Sequence, residues 1–244
     1  MWTVNNPLRK LSALAGLSLL TSSAFAGMTG GAVSYNSLIE GGNVSRFAVG
    51  ATADVQERVV VSPDGGEALM ETVEPGVFVS LDAMRWFQLF ATAGQSKFKL
   101  NDGEEGDYEF AWSVGGKISL WETSIPQNSV MHGNLRLFGS ISYSDKGSGS
   151  ISGASYDWEE TNGSIALRLE KYKETFHSYP WAAYIGPTFS SVDVDVAGLG
   201  DVQEGEDTGF IAGIDVYFPN NVFFGYELRH FEESSHGFQL GVHF

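Results

Sequence analysis

The last eight residues alternate without a break. Phe238, Leu240, Val242 and Phe244 fall on one side of an extended chain, and Gly237, Gln239, Gly241 and His243 fall on the other. One such segment fits any half-buried strand, so the constraint comes from repetition. Val222, Phe224, Tyr226 and Leu228 alternate with Phe223, Gly225, Glu227 and Arg229, and Phe210, Ala212, Ile214, Val216 and Phe218 alternate with Ile211, Gly213, Asp215 and Tyr217. Ile165, Leu167 and Leu169 oppose Ala166, Arg168 and Glu170, while Leu135, Leu137, Ile141 and Tyr143 oppose Asn134, Arg136, Ser140 and Ser142. The same phase runs through Tyr108, Phe110, Trp112, Val114, Ile118 and Leu120 against Glu109, Ser113, Gly115, Lys117 and Ser119, and through Phe47 to Val55 against Arg46 to Asp54. A chain written this way folds as sheet.

The N-terminus is written differently. Arg9 and Lys10 precede a short apolar run, Leu11 to Leu20, and Ala24-Phe25-Ala26 has the small-x-small form of a cleavage site. Residues 1–26 therefore read as a secretory signal peptide, and cleavage moves the formal net charge from −16 to −18. A chain this acidic lacks the basic patch that binds phosphates, so nucleic acid is not an expected partner. There is no cysteine, which excludes disulfides, thiolate metal sites and an N-terminal lipid anchor on cysteine. No later segment reaches the roughly 18 apolar residues of a membrane helix. If the exported chain enters a membrane, it enters as a closed sheet, because lipid offers no partner for unpaired backbone groups.

The alternating segments predict about ten strands: 44–55, 76–82, 86–100, 107–121, 132–145, 156–170, 179–194, 207–218, 221–231 and 236–244. Eight is the competing count, reached if residues 44–82 pair differently. Residues 27–43 read as a short Gly-rich lead and 44–244 as an all-β, antiparallel, up-and-down transmembrane barrel. Segments of about ten residues with a dyad pattern, alternate short turns and longer loops, and aromatics at strand ends are the marks of such barrels. With both termini on one side, that side carries the turns 82–85, 122–130, 171–178 and 219–220, and the other carries loops 56–75, 101–106, 146–155, 195–206 and 232–235. Trp86, Phe87, Trp121, Tyr179, Trp181, Phe218 and Phe244 would form one aromatic girdle; Tyr108, Tyr143, Tyr156, Trp158 and Phe231 would form the other. In 86–100, Lys97 and Lys99 enter the apolar phase. Either a bulge near Gly94 resets it or the strand has already left the apolar layer there.

The closing octet, Gly237-Phe238-Gln239-Leu240-Gly241-Val242-His243-Phe244, resembles the C-terminal signal of bacterial outer-membrane barrels, with Phe238, Leu240, Val242 and Phe244 as its apolar set. With the signal peptide, the chain resembles the small outer-membrane β-barrel group of opacity-type and porin-like proteins. That resemblance implies export through the periplasm, recognition by the barrel assembly machinery, and residence among outer-membrane lipid and lipopolysaccharide. The group shares no common activity.

If the apolar face is outside, ten charges face the lumen: Arg46, Asp54, Glu109, Lys117, Arg136, Arg168, Glu170, Asp215, Glu227 and Arg229. Buried charges persist when paired, so the expectation is an ion-pair network that plugs a narrow barrel; the alternative is a charge-lined path for ions or small solutes. The outer loops are acidic, with Asp102, Glu104, Glu105 and Asp107 in one, and Asp201, Glu204, Glu206 and Asp207 in another above Asp193 and Asp195. Carboxylates suit divalent cations, an expected partner there, although the spacing is not that of a calcium-binding loop. A third class, an outer-membrane hydrolase, would need a base and a nucleophile at the rim. Asp193, Asp195 and His236 are the candidates, yet no catalytic or cofactor motif is present. The expectation is a structural or surface-interaction barrel without enzymatic activity, cofactor or resident metal.

Overall fold

The computed structural model describes residues 47–61, 67–84, 86–99, 105–126, 132–151, 154–171, 179–196, 200–204 and 206–244. The expected signal peptide, the lead at 27–43, and Arg46 lie outside the described residues.

The fold is an all-β, closed, antiparallel barrel of ten strands. They are β1 (Phe47–Val61), β2 (Glu67–Met84), β3 (Phe87–Lys99), β4 (Glu105–Ile125), β5 (Gly133–Ile151), β6 (Ala154–Lys171), β7 (Trp181–Val196), β9 (Thr208–Tyr217), β10 (Val222–His230) and β11 (Ser234–His243), with a short eleventh strand, β8 (Gly200–Glu204). Each strand pairs with its neighbours in sequence, and the ring closes where β11 pairs with β1, from Ala48 opposite His243 to Val55 opposite His236. The amide of Phe244 donates to the carbonyl of Phe47 at 2.9 Å and seals the seam at its lower end. Closure leaves no ladder edge among the ten, which removes the usual liability of a long sheet.

Parity decides which side chain faces where. Phe238, Leu240 and Phe244 are exposed on the outer wall, Phe244 to 69 %, while Gln239 and His243 are buried inside. Each of the ten strands has a stretch of at least nine residues with no outward Asp, Glu, Lys or Arg, such as 47–55, 135–143, 181–191 and 222–230. Beyond that band, toward the rim opposite the termini, outward charges begin: Glu57, Glu71, Lys97, Lys99, Asp145, Glu159 and Asp193; at the terminal rim Lys171 ends β6 with outward parity.

Several sequence expectations change in the structure. Residues 56–75 are mostly strand, not the longest loop: β1 and β2 stay paired up to Val61 opposite Glu67. Alternation of apolar residues stops at Val55, but backbone pairing needs no apolar face and continues. The same holds for 146–155, where Ile151 still pairs with Ala154. Gly94 pairs with Gly76 and Ala111 in unbroken register, so no bulge resets the phase there. Lys97 and Lys99 instead lie above the apolar band, Lys99 paired with Glu71 at 3.3 Å and Lys97 over the Tyr108 ring. A bulge does interrupt β4 between Ser119 and Trp121, and it keeps Trp121 outward while aligning Glu122 with Arg136.

The aromatic girdle at the terminal rim is present, with Trp86, Trp121, Tyr179, Phe218 and Phe244 exposed and the Tyr179 and Phe218 rings 5.4 Å apart. The opposite girdle is thinner than expected. Tyr108 is exposed, but Trp158 and Phe231 are buried inside the barrel, because each shares the parity of its strand's inward residues. The side chain of Tyr156 lies outside the described residues.

Strand β8 was not expected. It pairs with β7 at Asp193–Val196 and with β1 at Val60 and Val61. Strands β9, β10 and β11, which separate β7 from β1 in the ring, have 10, 9 and 10 residues against 16 and 15 for β7 and β1. The β7–β9 connection thus bridges the two taller strands above the three shorter ones. At the terminal rim, β9 and β10 join through the tight turn Pro219–Asn221, where Asn220 and Asn221 take positive φ values of 63° and 64°. Asparagine tolerates that region better than most residues with a Cβ.

Candidate functional site: the barrel lumen

Of the ten charges expected to face the lumen, eight do so and are buried: Asp54, Lys117, Arg136, Arg168, Glu170, Asp215, Glu227 and Arg229. Arg46 lies outside the described residues. Glu109 has inward parity but is only half-buried near the far end of β4 and makes no ion pair with a described residue.

Near the terminal half, β4, β5, β6 and β9 contribute a chain of pairs. Arg136 lies 3.1 Å from Glu122 and 3.7 Å from Glu170, while Arg168 lies 3.1 Å from Glu170 and 2.6 Å from Asp215. Arg168 Nη2 also donates to the Tyr217 hydroxyl at 3.0 Å, and Asn134 donates to Glu122 at 2.7 Å. On the adjoining wall the Tyr184 hydroxyl donates to Glu227 at 2.6 Å, and Glu227 pairs with Arg229. The guanidinium of Arg168 therefore has a carboxylate on each side and a hydroxyl at its end, as a buried cation requires.

A second set lies toward the far rim, and four of its members were not singled out from sequence: Arg58, Glu74, Lys146 and Glu160. Lys146 Nζ sits between Glu160 at 3.1 Å and Glu74 at 3.5 Å, and Arg58 Nη2 lies 3.3 Å from Glu160. Arg58 also donates to Ser190 at 3.2 Å and stacks 3.6 Å from the centre of the Phe231 ring. The signal for them was present: Arg58 shares parity with Asp54, Glu160 with Arg168, and Lys146 with Arg136. They were missed because the predicted strands ended, or were read, only where apolar residues alternate.

Aromatic rings occupy much of the remaining lumen. Phe78 and Phe223 are 5.9 Å apart, with His243 4.7 Å from Phe223; Phe138 meets Tyr184 edge-on at 5.7 Å; Phe98 lies 6.3 Å from Trp158. Lys117 Nζ lies 5.1 Å from the centre of the Phe138 ring. The inward face thus alternates charge pairs with rings, where the sequence had suggested charge alone.

The proposed rim residues for hydrolysis do not converge. His236 is on the outer wall, bonded to the Tyr226 hydroxyl at 2.9 Å. Its row runs through Leu228 and Ala212 to Ile185 on β7, eight residues from Asp193. Among the acidic-loop residues, Asp102 and Glu104 lie outside the described residues, Glu105 and Asp107 begin β4, and Asp201 and Glu204 belong to β8. Among the described residues no group of three or more His, Asp or Glu side chains is arranged to hold a metal ion.

No family model matches the chain, and no curated protein matches it. Among solved structures, the chain is similar to the translocator domain of autotransporter NalP from Neisseria meningitidis, with 14% identity and a TM-score of 0.39 over 91% of this chain and 99% of that one. A likeness of that grade carries neither a role nor a ligand across.

Proposed function

We propose that this protein is an outer-membrane β-barrel whose outward apolar band faces lipid and whose lumen is held shut by side chains, serving as a structural or surface-interaction protein that presents a charged collar. The observation that carries the reading is the Arg58–Glu160 pair. Strands β1 and β6 are separated by four strands in either direction round the ring, so these two residues come from opposite walls. A pair joining opposite walls places side chains across the axis at that level, which supports a closed lumen. The uncharged outward stretches have the length of tilted membrane strands, about 9–11 residues, which supports the membrane placement. The reading assigns no catalysis.

The test is conductance of the refolded protein in a planar bilayer. A closed lumen gives no stable current steps, and a variant carrying Arg58→Ala and Glu160→Ala gives steps or flicker. Stable, ion-selective steps from the unaltered protein overturn the closed reading in favour of a narrow channel.

A further inference from the structure

The outer wall of the barrel is not uniformly filled. Three adjacent strands turn a glycine outward: Gly116 on β4, Gly139 on β5 and Gly163 on β6. Two of these are covered by a neighbouring ring. Phe189 lies on Gly163, and a Cβ at Gly116 would meet Phe87 at 3.2 Å. Gly139, between them, has no ring lying on it: it is buried, and a Cβ there would make ordinary contacts with Ile118 and Leu120 side-chain carbons at 3.6 Å and a carbonyl at 3.8 Å. Packing does not demand a glycine at this position. A groove of about 390 Å³ lies over it, walled by Phe87, Ile118, Leu120, Ile141, Ile165 and Phe189.

The same strands change character in steps toward the far rim. Directly paired on the outward face above the groove come three hydroxyls, Tyr143, Thr161 and Ser191, and then three carboxylates, Asp145, Glu159 and Asp193. Trp112 stands opposite Asp145, with its ring 5.7 Å from that of Tyr143. Like charges directly opposed across strands cost stability, and these three have no outward Lys or Arg in their row. Six residues separate Gly139 from Asp145, about 20 Å along a strand, the reach of one extended acyl chain.

We propose that this face is a binding site for a single lipid with a cationic amine headgroup: one acyl chain lies in the groove over Gly139, the polar backbone of the lipid meets the hydroxyl row, and the amine sits among the three carboxylates beside Trp112. Charge complementarity selects the occupant. The carboxylates lie in a flat row and do not converge as metal ligands do, which suits a diffuse amine with an aromatic neighbour. A second copy of the barrel docked here about a twofold axis would bring two such rows together. The proposal rests on the outward face meeting lipid, as above.

The test uses the full chain refolded in phosphatidylcholine vesicles containing equal minor amounts of lysyl-phosphatidylglycerol and phosphatidylglycerol with identical acyl chains. After mild detergent extraction, native mass spectrometry counts the lipid retained. The expected result is one retained lipid per barrel, with the lysyl form favoured about tenfold. Gly139→Leu lowers retention of both lipids by about tenfold while the barrel still migrates as folded; Gly139→Ala, whose added methyl makes ordinary contacts, shows the same trend if the larger change impairs folding. The variant D145N/E159Q/D193N keeps a lipid but loses headgroup preference. Equal retention of the two lipids by the unaltered protein, retention undiminished in both Gly139 variants, or a barrel dimer that forms without lipid and is broken by Gly139→Leu overturns this proposal alone. Failure to insert into vesicles overturns the membrane reading with it.

Discussion

Arg58 and Glu160 meet at 3.3 Å although four strands separate β1 from β6 whichever way the ring is followed. Both side chains are almost wholly buried, and each has a further partner: Ser190 and the Phe231 ring for Arg58, Lys146 for Glu160. Nothing local brings them together. The contact exists only once the ring has closed, so it reports on the complete barrel.

Removing Arg58 takes one of two cations from a buried carboxylate, because Glu160 keeps Lys146 at 3.1 Å; the cost is that of one charged hydrogen bond, about 1.5–3 kcal/mol, and not that of a fully broken buried pair. Arg58→Ala is therefore expected to lower the unfolding free energy of the vesicle-embedded barrel by that amount in urea titrations. Replacing both residues by apolar ones of similar size, Arg58→Met with Glu160→Leu, does not recover the loss, because buried Lys146 is then left with Glu74 alone at 3.5 Å. A cost for Arg58→Ala below about 1 kcal/mol, the range of a solvated pair, would show that the two side chains do not pair.

The Tyr184–Glu227 hydrogen bond depends on a glycine. The Tyr184 ring and hydroxyl lie against Gly213 across the β7–β9 ladder, where a Cβ would occupy the same space. Gly213→Ala displaces the ring from Glu227 and is expected to destabilise by about 1–3 kcal/mol through overpacking. Tyr184→Phe keeps the ring and removes only the hydrogen bond, so comparing their urea midpoints separates the two effects. Gly213→Ala behaving as the unaltered protein contradicts the close approach.

The outward band distinguishes a membrane barrel from a soluble one. Ile185 is 61 % exposed near the middle of the uncharged stretch on β7. In lipid, Ile185→Arg costs about 2–4 kcal/mol at the midplane; in water, an arginine at an exposed position costs almost nothing. Unfolding free energies in vesicles decide between them, and Asp193→Arg, above the band on the same strand, is the control expected to have little effect.

Glu57 and Glu71 face one another directly on the outer side of β1 and β2; among the described residues Glu71 has an ion-pair partner, Lys99 at 3.3 Å, whereas Glu57 makes no ion pair and has Glu233 and His236 as its other charged neighbours. Glu57→Gln removes the like-charge opposition and is expected to stabilise by about 0.2–1 kcal/mol, less at high salt. Thermal unfolding at two salt concentrations reads both signs; destabilisation by Glu57→Gln at low salt contradicts the account.

Much of the barrel was legible in the alternation. The closing segment from Phe238 to Phe244 fixes which parity faces outward, and carrying it back placed Arg136, Arg168, Glu170, Asp215, Glu227 and Arg229 inside. Strand ends were not legible in the same way. Apolar alternation stops where the outer wall ceases to be apolar, whereas the ladder continues through residues such as Gln56 to Val61, because backbone pairing needs no apolar face. That gap hid Arg58, Glu74 and Lys146, and with them the pair that joins opposite walls.

Aromatic residues misled for a related reason. Trp158 lies near a strand end and so resembled a girdle residue, but its parity matches Glu160 and Arg168, and it packs inside against Phe98. Parity outweighs position along the strand. The bulge at Ser119–Trp121 that aligns Glu122 with Arg136 has no clear mark in composition, and β8 is too short and polar to show a period of its own. Both depend on contacts between distant segments.

The central claim is that the outward apolar wall is inserted in the outer membrane. Heat-modifiable migration of the protein in isolated outer-membrane fractions tests it most directly. The account predicts a band that remains with the membrane after a urea wash and migrates faster unheated than boiled. A chain recovered as soluble periplasmic protein, with the same mobility before and after heating, would contradict it.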